Sequence, residues 1–105
     1  MYGSNLTWTF RKTIIALALK HQLPTISVAA DMLPDGILMS YGWDHEINLR
    51  LAAEFVDRIL RGAKAGDIPI QQPTTFLLVI NLKTAKALGL TILPSLLARA
   101  DQVIE

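Results

Sequence analysis

Cysteine is absent from the 105 residues. That excludes disulfide staples, thiolate nucleophiles and Cys-ligated zinc, and leaves the redox compartment open. Charge is scarce as well. Only 18% of residues are Asp, Glu, Lys or Arg, and ten bases against nine acids leave a net charge of +1. A chain so balanced creates no long-range field to steer phosphate backbones, so nucleic acid is not an expected partner. Long apolar runs are missing too. The longest near the N-terminus covers residues 14–19, well short of the ~18 apolar residues that span a bilayer. Arg11 and Lys12 in front of it imitate a signal peptide, but Lys20-His21-Gln22-Leu23-Pro24 follows and no small-residue cleavage site appears. The chain is therefore expected to carry neither a signal peptide nor a transmembrane segment of its own. Gly-x-Ser-x-Gly, Walker and Gly-x-Gly-x-x-Gly patterns are also lacking, which removes the common signatures of acyl transfer and nucleotide binding.

What is present is apolar matter in ordered spacing. Hydrophobic residues make up 51% of the chain, enough for a folded core, and the length predicts a single domain over residues 1–105. Residues 1–9 show no period and read as a poorly ordered start. From residue 10 to 21, Phe10, Ile14, Leu17 and Ala18 share a helical face, with Thr9 as N-cap and Pro24 as the stop. Residues 25–29 are short, alternating and β-branched, a strand. Residues 30–33 make a helical turn that ends at Pro34-Asp35-Gly36. Residues 37–41 form a second strand, broken by Gly42; apolar on both faces, it belongs in a covered, parallel sheet.

The clearest element is a helix over residues 45–61, capped by Asp44 and ended by Gly62. Ile47, Leu51, Phe55 and Ile59 form one row and Ala52, Val56 and Leu60 the next, together a broad stripe expected to be buried. On the other side Glu46–Arg50, Glu54–Arg58 and Asp57–Arg61 stand at ion-pairing spacing. Residues 63–73 are loop, with a brief extended edge at Ile68 and Ile70. Residues 75–80 are a third strand. Asn81 caps a helix over residues 82–88 that stops at Gly89, and Pro94 opens a last helix over residues 95–103 with Leu96, Leu97, Ala100 and Val103 as its apolar row. Helices alternating with strands define an α/β fold, a small and mostly parallel sheet flanked by helices.

Chemistry-bearing clusters are few. The two histidines, His21 and His45, sit at helix ends. Asp44, His45 and Glu46 are adjacent residues of one turn and diverge in space, so no metal or cofactor is expected. No nucleophile–base pair can be assembled, and the chain is not read as an enzyme. Ser40-Tyr41-Gly42-Trp43 is more informative, since it places a hydroxyl, two aromatics and a glycine after an apolar strand. Ligands of open α/β sheets collect outside such strand ends. Two readings stand side by side: a ligand-contacting segment, and a strand-to-helix loop whose aromatics cover the edge of the core.

At this point the residues resemble a known family. Met39-Ser40-Tyr41-Gly42, the stretch Ala53-Glu54-Phe55-Val56-Asp57-Arg58-Ile59-Leu60-Arg61-Gly62-Ala63-Lys64, and above all Val79-Ile80-Asn81-Leu82-Lys83-Thr84-Ala85-Lys86-Ala87-Leu88-Gly89-Leu90 are similar to the C-terminal part of bacterial ABC-transporter substrate-binding proteins. The resemblance runs from about residue 11 to 105, towards the branch with mostly unassigned ligands related to aromatic amino-acid binders. It implies one lobe, the C-terminal one, of a type 1 periplasmic binding fold. In that fold a small solute such as an amino acid is captured in an interlobe cleft and passed to a membrane permease without chemistry. It further implies a periplasmic location for full-length members, and a chain that is a fragment of a protein about three times longer. Two departures stand out: Trp43 where the family has proline after Tyr-Gly, and Leu93 where it has a first proline before Pro94. Ser40, Tyr41, Gly42 and Trp43 are the expected ligand-binding residues. A lobe without its partner exposes apolar surface, so a homodimer is expected. The alternative function is a stand-alone module that self-associates and binds no small molecule.

Overall fold

The computed structural model describes residues 4–105. Contacts divide the chain into two compact units, one running through Gly42 and including Leu77–Glu105, the other Trp43–Phe76.

The first unit opens with α1 (Asn5–Thr9), where no element is expected. Its start is a reciprocal cap: Thr7 N–H donates to Ser4 Oγ at 3.2 Å and Ser4 N–H donates to Thr7 Oγ1 at 2.9 Å. Thr9 is therefore not the N-cap of the next helix; its hydroxyl donates to Asn5 O at 2.8 Å, inside α1. Helix α2 (Arg11–Lys20) follows directly after Phe10. Its buried residues are Ile15 and Ala18, while Phe10, Ile14 and Leu17 are exposed. The apolar run 14–19 offers two helical faces, and tertiary packing selects the one that meets Met32 and Ile37, with Leu19 beside them. The helix ends at Lys20, four residues before Pro24: Gln22 is left-handed (φ 54°), Leu23 N–H reaches Ala18 O at 2.8 Å and Gln22 N–H reaches Leu19 O at 3.0 Å. Arg11 pins the start. Its Nε donates to Asp35 at 2.9 Å, its Nη1 to Trp8 O at 3.0 Å, and its guanidinium lies 4.2 Å from the Trp8 ring centroid.

Strand β1 (Ile26–Ser27) leads into a 3₁₀ turn (Ala30–Asp35) that ends at left-handed Gly36. Strand β2 is Met39–Trp43, β3 is Phe76–Asn81, and the sheet order is β1-β2-β3-β4 with β4 at Gln102–Ile104. Strands β1 and β2 are parallel (Ser27 opposite Ser40), as are β3 and β4 (Ile80 opposite Val103). The middle pair is antiparallel, because Asn81 N–H donates to Leu38 O and Asp44 N–H to Thr75 O. The α/β fold and its mostly parallel sheet are as expected. Two details differ. Gly42 does not end β2, which runs on to Trp43. The last helix, α5 (Pro94–Arg99), gives way at extended Ala100 to β4, so Val103 is a strand residue. Asp101 secures this join by donating its N–H to Leu78 O and accepting Leu78 N–H on its carboxylate, both at 2.8 Å.

Among the described residues the core is Ile15, Ala18, Met32, Leu33, Ile37, Leu38, Val79, Ile80 and Ala85, all in the first unit. A buried polar seam runs through it. Asn81 caps α4 (Leu82–Ala87), its Oδ1 accepting Thr84 N–H at 3.2 Å, while its Nδ2 donates to Leu33 O at 3.0 Å. Thr84 Oγ1 donates to Gly36 O at 3.1 Å. Among the described residues no buried side-chain nitrogen or oxygen lacks a partner, as a stable low-dielectric interior requires.

The second unit consists of α3 (His45–Leu60), a 3₁₀ turn (Ala65–Asp67) and an extended segment to Phe76. The expected caps are present: Asp44 Oδ1 accepts Glu46 N–H at 2.9 Å and Ile47 N–H at 3.3 Å, and Gly62 has φ 107°. Glu46–Arg50 and Asp57–Arg61 pair at 2.6 and 3.0 Å. Arg58 instead lies 6.0 Å from the Phe55 ring centroid. The apolar stripe is not buried: no residue of α3 is, and Ile47, Val56, Ile59 and Leu60 are exposed. Ile68 and Ile70 form no strand. Phe55 and Ile59 with Ile68, Pro69 and Ile70 border an open groove of about 310 Å³.

Candidate functional site

Strand β2 decides what the Ser40–Trp43 sequence can do. Side chains alternate along a strand, and here Ser40 and Gly42 are buried whereas Tyr41 and Trp43 are 54% and 41% exposed. Ser40 sits opposite Ser27 of β1, in the interior. Gly42 packs on the chain beside it, where a Cβ would collide with the carbonyl of Val28. Glycine is required there by close backbone approach, not by a break in the strand. The four consecutive residues thus split into two that build the sheet and two aromatics offered on the other side.

Residues two apart on a strand are separated by about 6.6 Å. Tyr41 and Trp43 are the exposed residues of this end of β2. Trp43 has a ring neighbour of its own. The His45 imidazole meets it edge-on, with centroids 6.1 Å apart and planes at 69°. His45 was legible in the sequence only as a helix-end residue; its pairing with Trp43 follows from the Asp44 cap, which turns the chain from strand into helix between the two rings. His21 lies at the end of α2, elsewhere in the sequence and in a different unit. Among the described residues no three His, Asp or Glu side chains converge as a metal would need.

The arrangement so described is an α/β sheet with two exposed aromatics at the end of β2. The sequence profile of the ABC transporter substrate binding protein family matches residues 3–104, and the chain belongs to that family. Solved structures agree. A conserved domain protein from Vibrio cholerae O1 biovar El Tor superposes with TM-score 0.90 at 28% identity, over 97% of this chain and 34% of that one. An ABC domain in complex with L-Trp from Streptococcus pneumoniae gives TM-score 0.89 at 31% identity, over 96% of this chain and 34% of its own. A ligand-free, open substrate-binding protein with adhesive properties from Clostridium difficile shares the fold at TM-score 0.69 and 20% identity, over 98% of this chain and 34% of its own. The chain thus spans about a third of the length of the structures it matches. None of the curated proteins matches it. Among the described residues no helix is long and apolar enough to cross a membrane.

Proposed function

We propose that this chain contributes the solute-contacting surface of an ABC import system's binding protein. It captures a small molecule outside the cytoplasm, in the periplasm, without making or breaking a bond, for delivery to a membrane permease. Tyr41 and Trp43 carry the contact, and Ser40 and Gly42 shape the strand beneath them. The observation that carries this reading is the alternation of β2, which exposes both aromatics in a chain of the substrate-binding family. An aromatic amino acid is the favoured solute, since rings stack on rings and the 31%-identical Streptococcus pneumoniae protein was crystallised with L-Trp. The test is calorimetric titration of the chain with L-tryptophan, L-phenylalanine and L-leucine, alongside Trp43→Ala. Saturable heat with the aromatic pair, lost in the variant, supports the assignment; no heat with any of the three rejects it for this chain alone.

A second reading rests on a different observation. Phe10 at the start of α2, Ile14 and Leu17 on it, and Ile47, Val56 and Ile59 on α3 are all exposed, and apolar rows of this kind favour association. On this reading the chain is a module that forms a symmetric dimer and binds nothing small. A single monomeric species in sedimentation equilibrium at tens of micromolar rejects it.

A further inference from the structure

We propose that α3 is a self-recognition helix: the seam Leu49, Ala52, Ala53, Val56 and Leu60 packs against the same seam of a second copy of this chain, the two helices running antiparallel about a two-fold axis. The proposal rests on the self-association reading above and names its surface and orientation. Helical geometry comes first. At about 100° per residue, those five positions fall within an arc of about 100° and follow the a, d and e spacing of a coiled-coil seam. Leu51 and Phe55 project from other sides of the helix. They are half-buried and border a pocket shared with Gln71, Gln72 and Pro73. The seam is bare by contrast. Leu49 is 71% exposed, Val56 56% and Leu60 81%, and Ala52 and Ala53 are exposed as well.

The charges say what fits this seam. Along one flank of it α3 carries Glu46, Arg50, Asp57 and Arg61, in the order minus, plus, minus, plus. Their pairs, Glu46–Arg50 and Asp57–Arg61, are exposed and open to further partners. Taken in reverse, that order is inverted at every position. An antiparallel copy therefore sets Glu46 against the second copy's Arg61, and Arg50 against its Asp57, whereas a parallel copy brings like charges level. The ends of the helix repeat the asymmetry: residues 44–54 hold three acids and one base (Lys or Arg), residues 55–64 one acid and three bases. The charge pattern is centred between residues 53 and 54. The apolar pattern, Leu49 with Leu60 and Ala53 with Val56, is centred between residues 54 and 55. The centres differ by one residue, about 1.5 Å along the axis, so one register serves both. Alanines at the middle let the backbones approach, and leucines close the ends. Apolar contact supplies the affinity; exposed ion pairs add little energy but set the orientation.

The chain has no cysteine, so an introduced thiol reports on one position. Under mild oxidation Ala53→Cys, beside the axis, is expected to give a disulfide-linked dimer. Leu49→Cys, about 16 Å from its own copy along the helix, is not. Sedimentation equilibrium of the wild-type chain at tens of micromolar is expected to show a dimer. Val56→Glu makes it monomeric, and Leu17→Glu, on the exposed side of α2, leaves it dimeric. Arg61→Glu is expected to weaken the dimer about tenfold. Adding Glu46→Arg restores it, even though the double variant loses both ion pairs within the helix, because only the contact between copies is repaired. Circular dichroism of each variant checks that α3 stays helical, and the two cysteine variants, which change no charge, decide the register independently. A dimer that survives Val56→Glu, or one locked by Leu49→Cys and not by Ala53→Cys, overturns the proposal and leaves the self-association reading standing. A wild-type monomer overturns both.

Discussion

Two regions of equal local order differ completely in what holds them. In the first unit, α2 is ten residues long, yet Ile15 and Ala18 are buried, and Ile37, just before β2, and Ile80, in β3, are wholly out of solvent. In the second, α3 is longer at 16 residues, properly capped and laced by two ion pairs, and none of its residues is buried. A helix of that length draws on propensity, on capping worth about 0.5–2 kcal/mol, and on i,i+4 pairs worth about 0.2–0.5 kcal/mol each. The lesson is that local signals fix where a helix begins and ends, and burial fixes whether removing a side chain matters.

The sharpest way to break this comparison is a pair of equal truncations. Ile80→Ala, in the core, is expected to cost about 2–5 kcal/mol in urea unfolding, because the methyl groups leave a cavity that cannot collapse. A loss below about 1 kcal/mol removes the distinction between the units. Next in size is Asn81→Leu. It deletes the α4 cap and orphans the Leu33 carbonyl, for a combined loss of about 2–3 kcal/mol. Gly42→Ala is expected to follow, towards the upper end of the ~1–3 kcal/mol that overpacking costs, since the new methyl meets the Val28 backbone; an unchanged thermal midpoint contradicts that close approach. The smallest effect is assigned to Ile59→Ala on α3, where a residue 46% exposed is expected to lose less than about 1 kcal/mol. Hydrogen exchange sharpens the same contrast: amides of α3 are expected to exchange well before those of β3, by local opening that leaves the core closed.

Most of this architecture was legible where a single residue type does a single job. Asp44 and Asn81 announce helix starts because their side chains satisfy orphan amides. Gly36, Gly62 and Gly89 announce ends because all three adopt positive φ. The α/β class followed from apolar strands between such helices. What escaped the sequence depended on partners distant in the chain. The apolar run of α2 has two usable faces, and only Met32 and Ile37 choose Ile15 over Ile14. The helical period of residues 96–103 is equally compatible with a short helix and a strand, and pairing of Val103 with Ile80 decides for the strand. The Ser4–Thr7 cap lies in a segment without apolar period, and α1 was not expected there. For the candidate site, the Ser40–Trp43 segment was found from sequence, but its division into two inward and two outward residues needed the strand to continue through Gly42.

The outer strands of the sheet have a consequence for how the protein fails. Strand β1 is two residues long and β4 three, so neither offers enough free backbone to template another chain. When heated or concentrated past its limits, this polypeptide is expected to gather through its greasy helices into amorphous or small soluble clusters, and to leave amyloid dyes dark.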